Sequence, residues 1–207
     1  MEVLHHDDAL IVVNKPAGLL AVPGRGADKQ DCMASRVQAR WSDALVVHRL
    51  DMATSGLMLF ARGVEMQRCL SRCFEMRRVD KQYIAVVHGR LPAASGCIEL
   101  PLAADWPRRP LQKVDLLLGR PALTKWQVLG VDDVLGTTRL ALQPLTGRTH
   151  QLRVHLSAIG HPILGDALYA PPAMQQRAGR LLLHASGLAF DHPLSGLRLQ
   201  LQSDAPF

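Results

Sequence analysis

Two apolar runs, Ala44 to Val47 and Leu57 to Ala61, bracket the polar stretch His48-Arg49-Leu50-Asp51-Met52-Ala53-Thr54-Ser55-Gly56, and no other feature constrains the fold as tightly. Each run is predicted to be a short buried strand. The segment between them is a turn that closes on Gly56, where glycine permits a backbone conformation that other residues resist. Asp51 is thereby mounted on a loop held at both ends by core strands, a usual setting for a reactive group. Its chemistry reads two ways. Asp51 caps the turn, with Arg49 as ion-pair partner and Ser55 satisfying nearby backbone groups; or arginine keeps it ionised and it acts as nucleophile or base.

Upstream, Ala9 to Val13 is a strand candidate stopped by Asn14-Lys15-Pro16-Ala17-Gly18, a strong turn signal. A second short strand, Leu19 to Val22, ends at Pro23-Gly24. Taken alone, Lys15 is a solvated turn residue. Met33, Val37 and Trp41 recur at four-residue spacing, so a helix is expected to begin near Asp31. Downstream, Glu65 to Arg78 has the pattern of an amphipathic helix, burying Met66, Leu70, Cys73 and Phe74 and presenting Arg68 and Arg72. Tyr83 to His88 and Gly96 to Leu100 follow as strands.

The segment Ala104 to Lys113 then breaks the pattern. Pro107 and Pro110 bracket Arg108 and Arg109, with Trp106 before and Lys113 after. Each proline removes a donor, which excludes a helix interior or central strand. A stiff loop with three positive charges and one aromatic suits gripping a phosphate backbone; the other reading is an ordinary surface excursion. Ala122 to Leu129 and Thr137 to Leu142 are further strands, the latter alternating Thr138, Leu140 and Leu142 with Arg139, Ala141 and Gln143. In the run Thr146 to Leu156, Thr149 is the expected N-cap of a helix burying Leu152, Leu156 and Ile159 and ending at Gly160. Arg148 and Arg153 lie near the positive end of that helix, where an anionic partner would explain them. Strands near Leu181 to Leu183 and Leu197 to Leu201, joined through His192-Pro193, finish the chain.

A chain of 207 residues suits one domain with a sizeable core, and no composition shift or linker suggests a second. The net charge of +6 points to a polyanionic partner. Met1 to Asp8 has no basic region leading into an apolar segment, and no apolar run is long enough to span a bilayer, so a cytoplasmic protein with no membrane partner is expected. Cys32, Cys69, Cys73 and Cys97 include no Cys-x-x-Cys pair and have no histidine pair at ligand spacing; they read as reduced thiols in or near the core, with no metal.

The run His48-Arg49-Leu50-Asp51-x-x-Thr54-Ser55-Gly56 resembles the signature of the RluA-type pseudouridine synthases, in which this aspartate is catalytic. Asn14-Lys15-Pro16-x-Gly18 is similar to the family's first motif, which borders the active cleft. Arg77-x-Val79-x-Lys81-x-Tyr83 is similar to the second, whose tyrosine stacks on the target base. Leu152-Arg153-Val154-His155 is similar to the third, whose arginine pairs with the catalytic aspartate. Gly160 to Asp166 is also family-like and reads as architectural. The segment Trp106 to Lys113 resembles the RNA-gripping loop of the members that act on both ribosomal and transfer RNA. The resemblance spans Asn14 to His184 and departs at the N-terminus, where many relatives carry an S4 RNA-binding module and this chain starts directly on the catalytic domain.

The resemblance implies an α+β pseudouridine synthase fold over residues 1–207: a long mixed, largely antiparallel sheet, flanking helices and a central basic cleft. It implies isomerisation of a uridine in folded RNA, either a tRNA anticodon stem-loop and a hairpin of 23S ribosomal RNA or ribosomal RNA alone. Nothing is oxidised and no group is imported, so no cofactor is implied, and a monomer is expected. Asp51, Tyr83 and Arg153 are the implied catalytic residues, and Asp51 attacks the ribose C1′ or the uracil C6, or promotes a glycal. Leu50 and Leu152 would line a dry pocket, and Arg49 would fill the space left by the flipped base. His48, Lys15, Arg62, Trp106, Arg108, Arg109, Lys113 and Arg148 complete the expected RNA-binding set. A non-catalytic RNA-binding protein is the alternative of another class; against it, 4% aromatic residues are too few for an RRM-type stacking platform.

Overall fold

A computed structural model describes all 207 residues. In chain order the strands are β1 (Glu2–His6), β2 (Leu10–Lys15), β3 (Ala44–Val46), β4 (Ser55–Arg62), β5 (Asp80–His88), β6 (Ser95–Glu99), β7 (Leu102–Ala104), β8 (Gln112–Val114), β9 (Leu123–Asp132), β10 (Thr137–Pro144), β11 (Leu183–Asp191) and β12 (Arg198–Gln202). The helices are α1 (Met33–Gln38), α2 (Gly63–Glu75), α3 (Gln151–Ala158) and α4 (Pro172–Gln175). Two compact units form: Met1–Lys81 with His184–Pro206, and Gln82–Leu183 with Phe207.

The first unit is organised by β2 and β4, which pair antiparallel with Val12 opposite Leu59. Leu10 to Val13 of β2 and Leu57 to Ala61 of β4 are unbroken apolar runs, as strands buried on two faces must be. Alternate residues therefore feed two cores. Leu10, Val12, Leu57, Leu59 and Ala61 join Leu70 of α2 in one, with Met66, Cys73 and Phe74 packed against it. Ile11, Val13, Met58 and Phe60 join Met33, Ala34 and Val37 of α1 in the other. Each valine, leucine, isoleucine, methionine or phenylalanine among them contributes roughly 1.5–3 kcal/mol by leaving water. β1 pairs with β2 and β3 with β4, both antiparallel, whereas β11 runs parallel to β4, with His184 opposite Ser55.

Local chemistry moves three of the expected boundaries. Leu19 to Val22 forms no strand; Leu20 makes a single bridge to Cys32, and its carbonyl accepts the Met33 N–H at 2.7 Å. At α1, Cys32 Sγ accepts the Ser35 N–H and Ser35 Oγ accepts the Cys32 N–H, a capping box with sulfur in the hydroxyl's place. The chain tightens after Gln38, where the Arg40 N–H reaches the Val37 carbonyl, and Trp41 packs on the same core from beyond the helix. Helix α2 stops before Arg78 because Arg77 turns left-handed (φ 57°): Arg77 N–H bonds Phe74 O and Arg78 N–H bonds Cys73 O. That is a Schellman stop with arginine where glycine is usual, so no residue type announced it.

The second unit carries an antiparallel array in the order β5-β10-β9-β6. Thr138, Leu140 and Leu142 are buried while Arg139, Ala141 and Gln143 are half-buried, as their alternation predicted. Leu102, Ala122 and Val154 form a smaller core with Val114 and Tyr169 against it. β7 and β8 make a separate two-stranded hairpin, with Ala104 opposite Gln112. The α+β, mixed and largely antiparallel character expected from the sequence is thus present. The cysteines differ from expectation: Cys32 is buried and Cys73 half-buried, but Cys69 and Cys97 are exposed.

Candidate active site

Asp51 lies half-buried in the loop between β3 and β4, between the exposed Met52 and the buried Leu50. Its carbonyl accepts the Thr54 N–H at 3.1 Å, closing the turn. The next carbonyl, that of Met52, accepts the Gly18 N–H at 2.9 Å and Lys15 Nζ at 3.1 Å. Lys15 Nζ also donates to the carbonyls of Pro16 (2.9 Å) and Leu19 (2.7 Å). Lys15 is 0% exposed, so the solvated turn residue expected from its neighbours is instead a buried ammonium that ties the Asn14–Gly18 turn to the Asp51 loop. A buried ammonium needs such acceptors, and three carbonyls meet its three donors.

The far end of the loop is fixed from β11. Ser55 Oγ lies 2.8 Å from His184 Nδ1, both residues being buried. Gly56 has φ 115°, and a Cβ there would stand 2.3 Å from the Ala185 carbonyl oxygen. The glycine is therefore required by the close approach of β11 as well as by its backbone angle.

His48 faces inward. Its ring stacks on Phe74 with centroids 4.7 Å apart, and Nε2 accepts the Leu59 N–H at 2.9 Å. Burial, and then the nearby Lys81 ammonium, push its pKa down to about 4, so the imidazole is neutral at physiological pH. Lys81 itself is pushed down by burial and by Arg77. Arg49 is exposed. Arg62 Nε binds Asp43 at 2.9 Å and Arg62 Nη1 reaches the Asp7 carbonyl, so it braces β4.

In the second unit, Tyr83 is half-buried on β5 opposite Leu142, and Leu152 is 6% exposed on α3. Arg153 is 4% exposed and binds Asp166 through two parallel hydrogen bonds, Nε to Oδ2 at 2.8 Å and Nη2 to Oδ1 at 2.6 Å. Asp166, expected only as architecture, thus fixes the plane of the guanidinium by the strongest pairing available to it. Gly165 permits this turn: its φ is 72°, and a Cβ would fall 1.9 Å from the Arg180 carbonyl oxygen.

The N-cap of α3 is His150, in the left-handed region (φ 53°, ψ 19°), and not Thr149. No side chain caps the helix; the Gln151 N–H bonds the Arg148 carbonyl at 3.1 Å. The turn before it is fixed by Gln151, whose Oε1 accepts the Arg148 N–H at 3.0 Å and the Thr146 hydroxyl at 2.7 Å while Nε2 donates to Leu123 O and Thr124 Oγ1. His155 adds a second anchor between Thr124 Oγ1 and Leu100 O. Ile159 is exposed at the C-cap instead of buried. Arg148 Nε donates to the Pro121 carbonyl at 3.1 Å.

On the β7–β8 hairpin, Trp106 is 68% exposed and the Arg109 guanidinium sits 3.5 Å over its ring. Arg108 is held by Asp105 at 2.5 Å, and Lys113 lies 3.2 Å from Asp115. One of the segment's three cations is therefore displayed on an aromatic ring, while the other two are part-neutralised by aspartates.

A family model described as RNA pseudouridylate synthase matches residues 9–158. The dual-specificity RNA pseudouridine synthase RluA of Yersinia pestis is 49% identical over 207 residues, covering 100% of both chains. Its namesake from Escherichia coli strain K12 is 47% identical over 99% of this chain and 93% of its own. Among solved structures, human RNA pseudouridylate synthase domain containing 1 superposes with a TM-score of 0.82 at 29% identity, over 100% of this chain and 84% of that one. Human RNA pseudouridylate synthase domain containing 4 gives 0.77 at 28%, over 99% and 88%. The matched span runs from the first core strand through the helix carrying Arg153, so this chain belongs to the RNA pseudouridylate synthase family.

Proposed function

We propose that this protein isomerises uridine to pseudouridine within RNA stem-loops, both in a tRNA anticodon loop and in a hairpin of 23S ribosomal RNA. The observation that carries this reading is the mounting of Asp51: a half-buried carboxylate on a loop held from below by the Lys15 ammonium and the Gly18 N–H through the Met52 carbonyl. The names of the full-length bacterial relatives support the pair of substrates. A basic cleft in a single catalytic domain, working as a cytoplasmic monomer, is part of the same proposal.

In the reaction the C1′–N1 bond breaks, the uracil turns, C5 bonds to C1′, the C5 proton leaves and N1 regains one. Asp51 carries the chemistry, by attack at C1′ or C6 or by promoting a glycal. Arg153 is its counter-charge, and Tyr83 stacks on the uracil once it has left the helix stack. Leu50 and Leu152 keep the detached base from escaping, and Arg49 takes its place in the RNA. Arg109 on Trp106, with Arg108, Lys113, Arg62 and Arg148, positions the phosphate backbone, while His48 and Lys15 act from beneath the loop. Contacts of this kind orient an RNA without reading its sequence, so loop shape and a cheaply flipped uridine select the substrate.

The test is pseudouridine formation on an isolated anticodon stem-loop, a 23S hairpin and intact ribosomal subunits. Conversion of both hairpins is expected. Activity confined to intact subunits would favour an enzyme of ribosomal RNA alone.

A further inference from the structure

The hydroxyl of Tyr169 is where three segments of the second unit meet. It accepts the backbone N–H of Gln112, the first residue of β8, at 2.9 Å. It also lies 2.6 Å from Nδ1 of His150, the N-cap of α3. A hydroxyl that takes the Gln112 N–H still has its own proton to give, and His150 Nδ1 is placed to accept it. From the same residue the backbone N–H donates to Asp166 Oδ1 at 3.2 Å, the oxygen that binds Arg153 Nη2. The Tyr169 ring itself lies 5.2 Å from the Arg153 guanidinium.

His150 sharpens the point. Its left-handed backbone is uncommon for any residue but glycine and carries a steric cost. A costly conformation held in place by a side-chain hydrogen bond points to a use for that side chain. Here the use is to clasp the start of α3 to Tyr169, and through it to the hairpin that displays Arg109 on Trp106.

We infer that Tyr169 is a positioning residue that joins the basic hairpin to α3, so that RNA gripped by the hairpin is set in register with Arg153. The inference rests on the RNA-binding role proposed above for the hairpin. Tyr169 touches no reacting atom; it transmits position. Errors of about 1 Å in such an alignment cost up to roughly a hundredfold in rate.

Tyr169→Phe keeps the ring over Arg153 and removes the hydroxyl. With the anticodon stem-loop as substrate, kcat is expected to fall about tenfold or more while KM and the RNA dissociation constant stay within about twofold. The same substitution in an Arg108→Ala/Arg109→Ala background should cost less than about threefold, because the hairpin no longer holds the RNA to be aligned. His150→Gly gives a second route if Tyr169→Phe fails to fold: it relieves the left-handed cost, so it should be at least as stable as the wild type yet lose kcat to a similar degree. A wild-type kcat in either variant, or equal cost of Tyr169→Phe in both backgrounds, would overturn the inference. If instead the arginine double variant binds RNA as tightly as the wild type, the hairpin's own role has failed, and the inference with it; a normal arginine effect beside a silent Tyr169→Phe is failure of the inference alone.

Discussion

Lys15 Nζ donates to the carbonyl of Met52 at 3.1 Å, one peptide beyond Asp51, from a position with no exposed surface. Replacing it by methionine keeps the apolar stem but removes the amine from the carbonyls of Pro16 and Leu19 and leaves that of Met52 with the Gly18 N–H. Lys15→Met is expected to destabilise the fold by about 2–5 kcal/mol and to lower turnover by more than the loss of folded protein explains. Denaturant unfolding and single-turnover rates on the same samples check both parts. A stable variant with wild-type turnover would mean that the Asp51 loop does not depend on this bond.

A second prediction concerns acid. His48 is neutral in the fold, with its pKa near 4, and an unfolded histidine titrates near 6.5. The unfolded chain therefore binds more protons between these values. The neutral ring's contribution is fully present above about pH 6.5 and is lost as pH falls to about 4, roughly 1–3 kcal/mol in all. His48→Phe preserves the stacking on Phe74 but leaves the Leu59 N–H without its acceptor. Its stability should be lower than wild type at pH 7 and less steep with pH between 4 and 6.5. Parallel pH profiles for the two proteins would contradict the assignment.

The hairpin should reveal itself through salt. Arg109 is displayed on Trp106, whereas Arg108 is held by Asp105. Arg109→Ala is therefore expected to weaken RNA binding more than Arg108→Ala and to reduce the slope of log affinity against log salt by about 0.7–0.9. Trp106→Ala should weaken binding with little change of slope, by about 1–3 kcal/mol if it stacks on a base. Filter binding across salt concentrations separates these outcomes; equal effects of the two arginines would show that the Asp105 pair opens on binding.

What could be read from the sequence followed from what is local. The period of two in Thr138 to Gln143 and the four-residue spacing of Met66, Leu70 and Phe74 reflect single elements facing one core, and both recur in the structure. Misreadings arose where a distant backbone decides. Lys15 looks solvated until the Met52 carbonyl, 37 residues away, is placed beside its amine. Thr149 looks like a cap until the left-handed turn at His150 starts the helix one residue later, with Gln151 bracing the turn before it. The stop of α2 at a left-handed Arg77 has no compositional signal. Arg153 stands out by the motif it sits in, but its partner Asp166 lies 13 residues on, across a turn that Gly165 makes possible. The strands on either side put Leu50 and Asp51 on a core-bracketed loop, which is local; the groups that hold that loop, Lys15, Gly18 and His184, come from distant segments.

The most direct test of the central claim uses an anticodon stem-loop carrying tritium at uracil C5. Forming the new carbon–carbon bond expels that hydrogen, so tritium in solvent counts completed isomerisations. Under single-turnover conditions the wild-type protein should release the label of one uridine per RNA. Asp51→Asn should release none, while binding the same RNA within about tenfold of wild type, a difference of about 1.4 kcal/mol. Tritium release by Asp51→Asn at more than about a percent of the wild-type rate would contradict the assignment of the chemistry to Asp51.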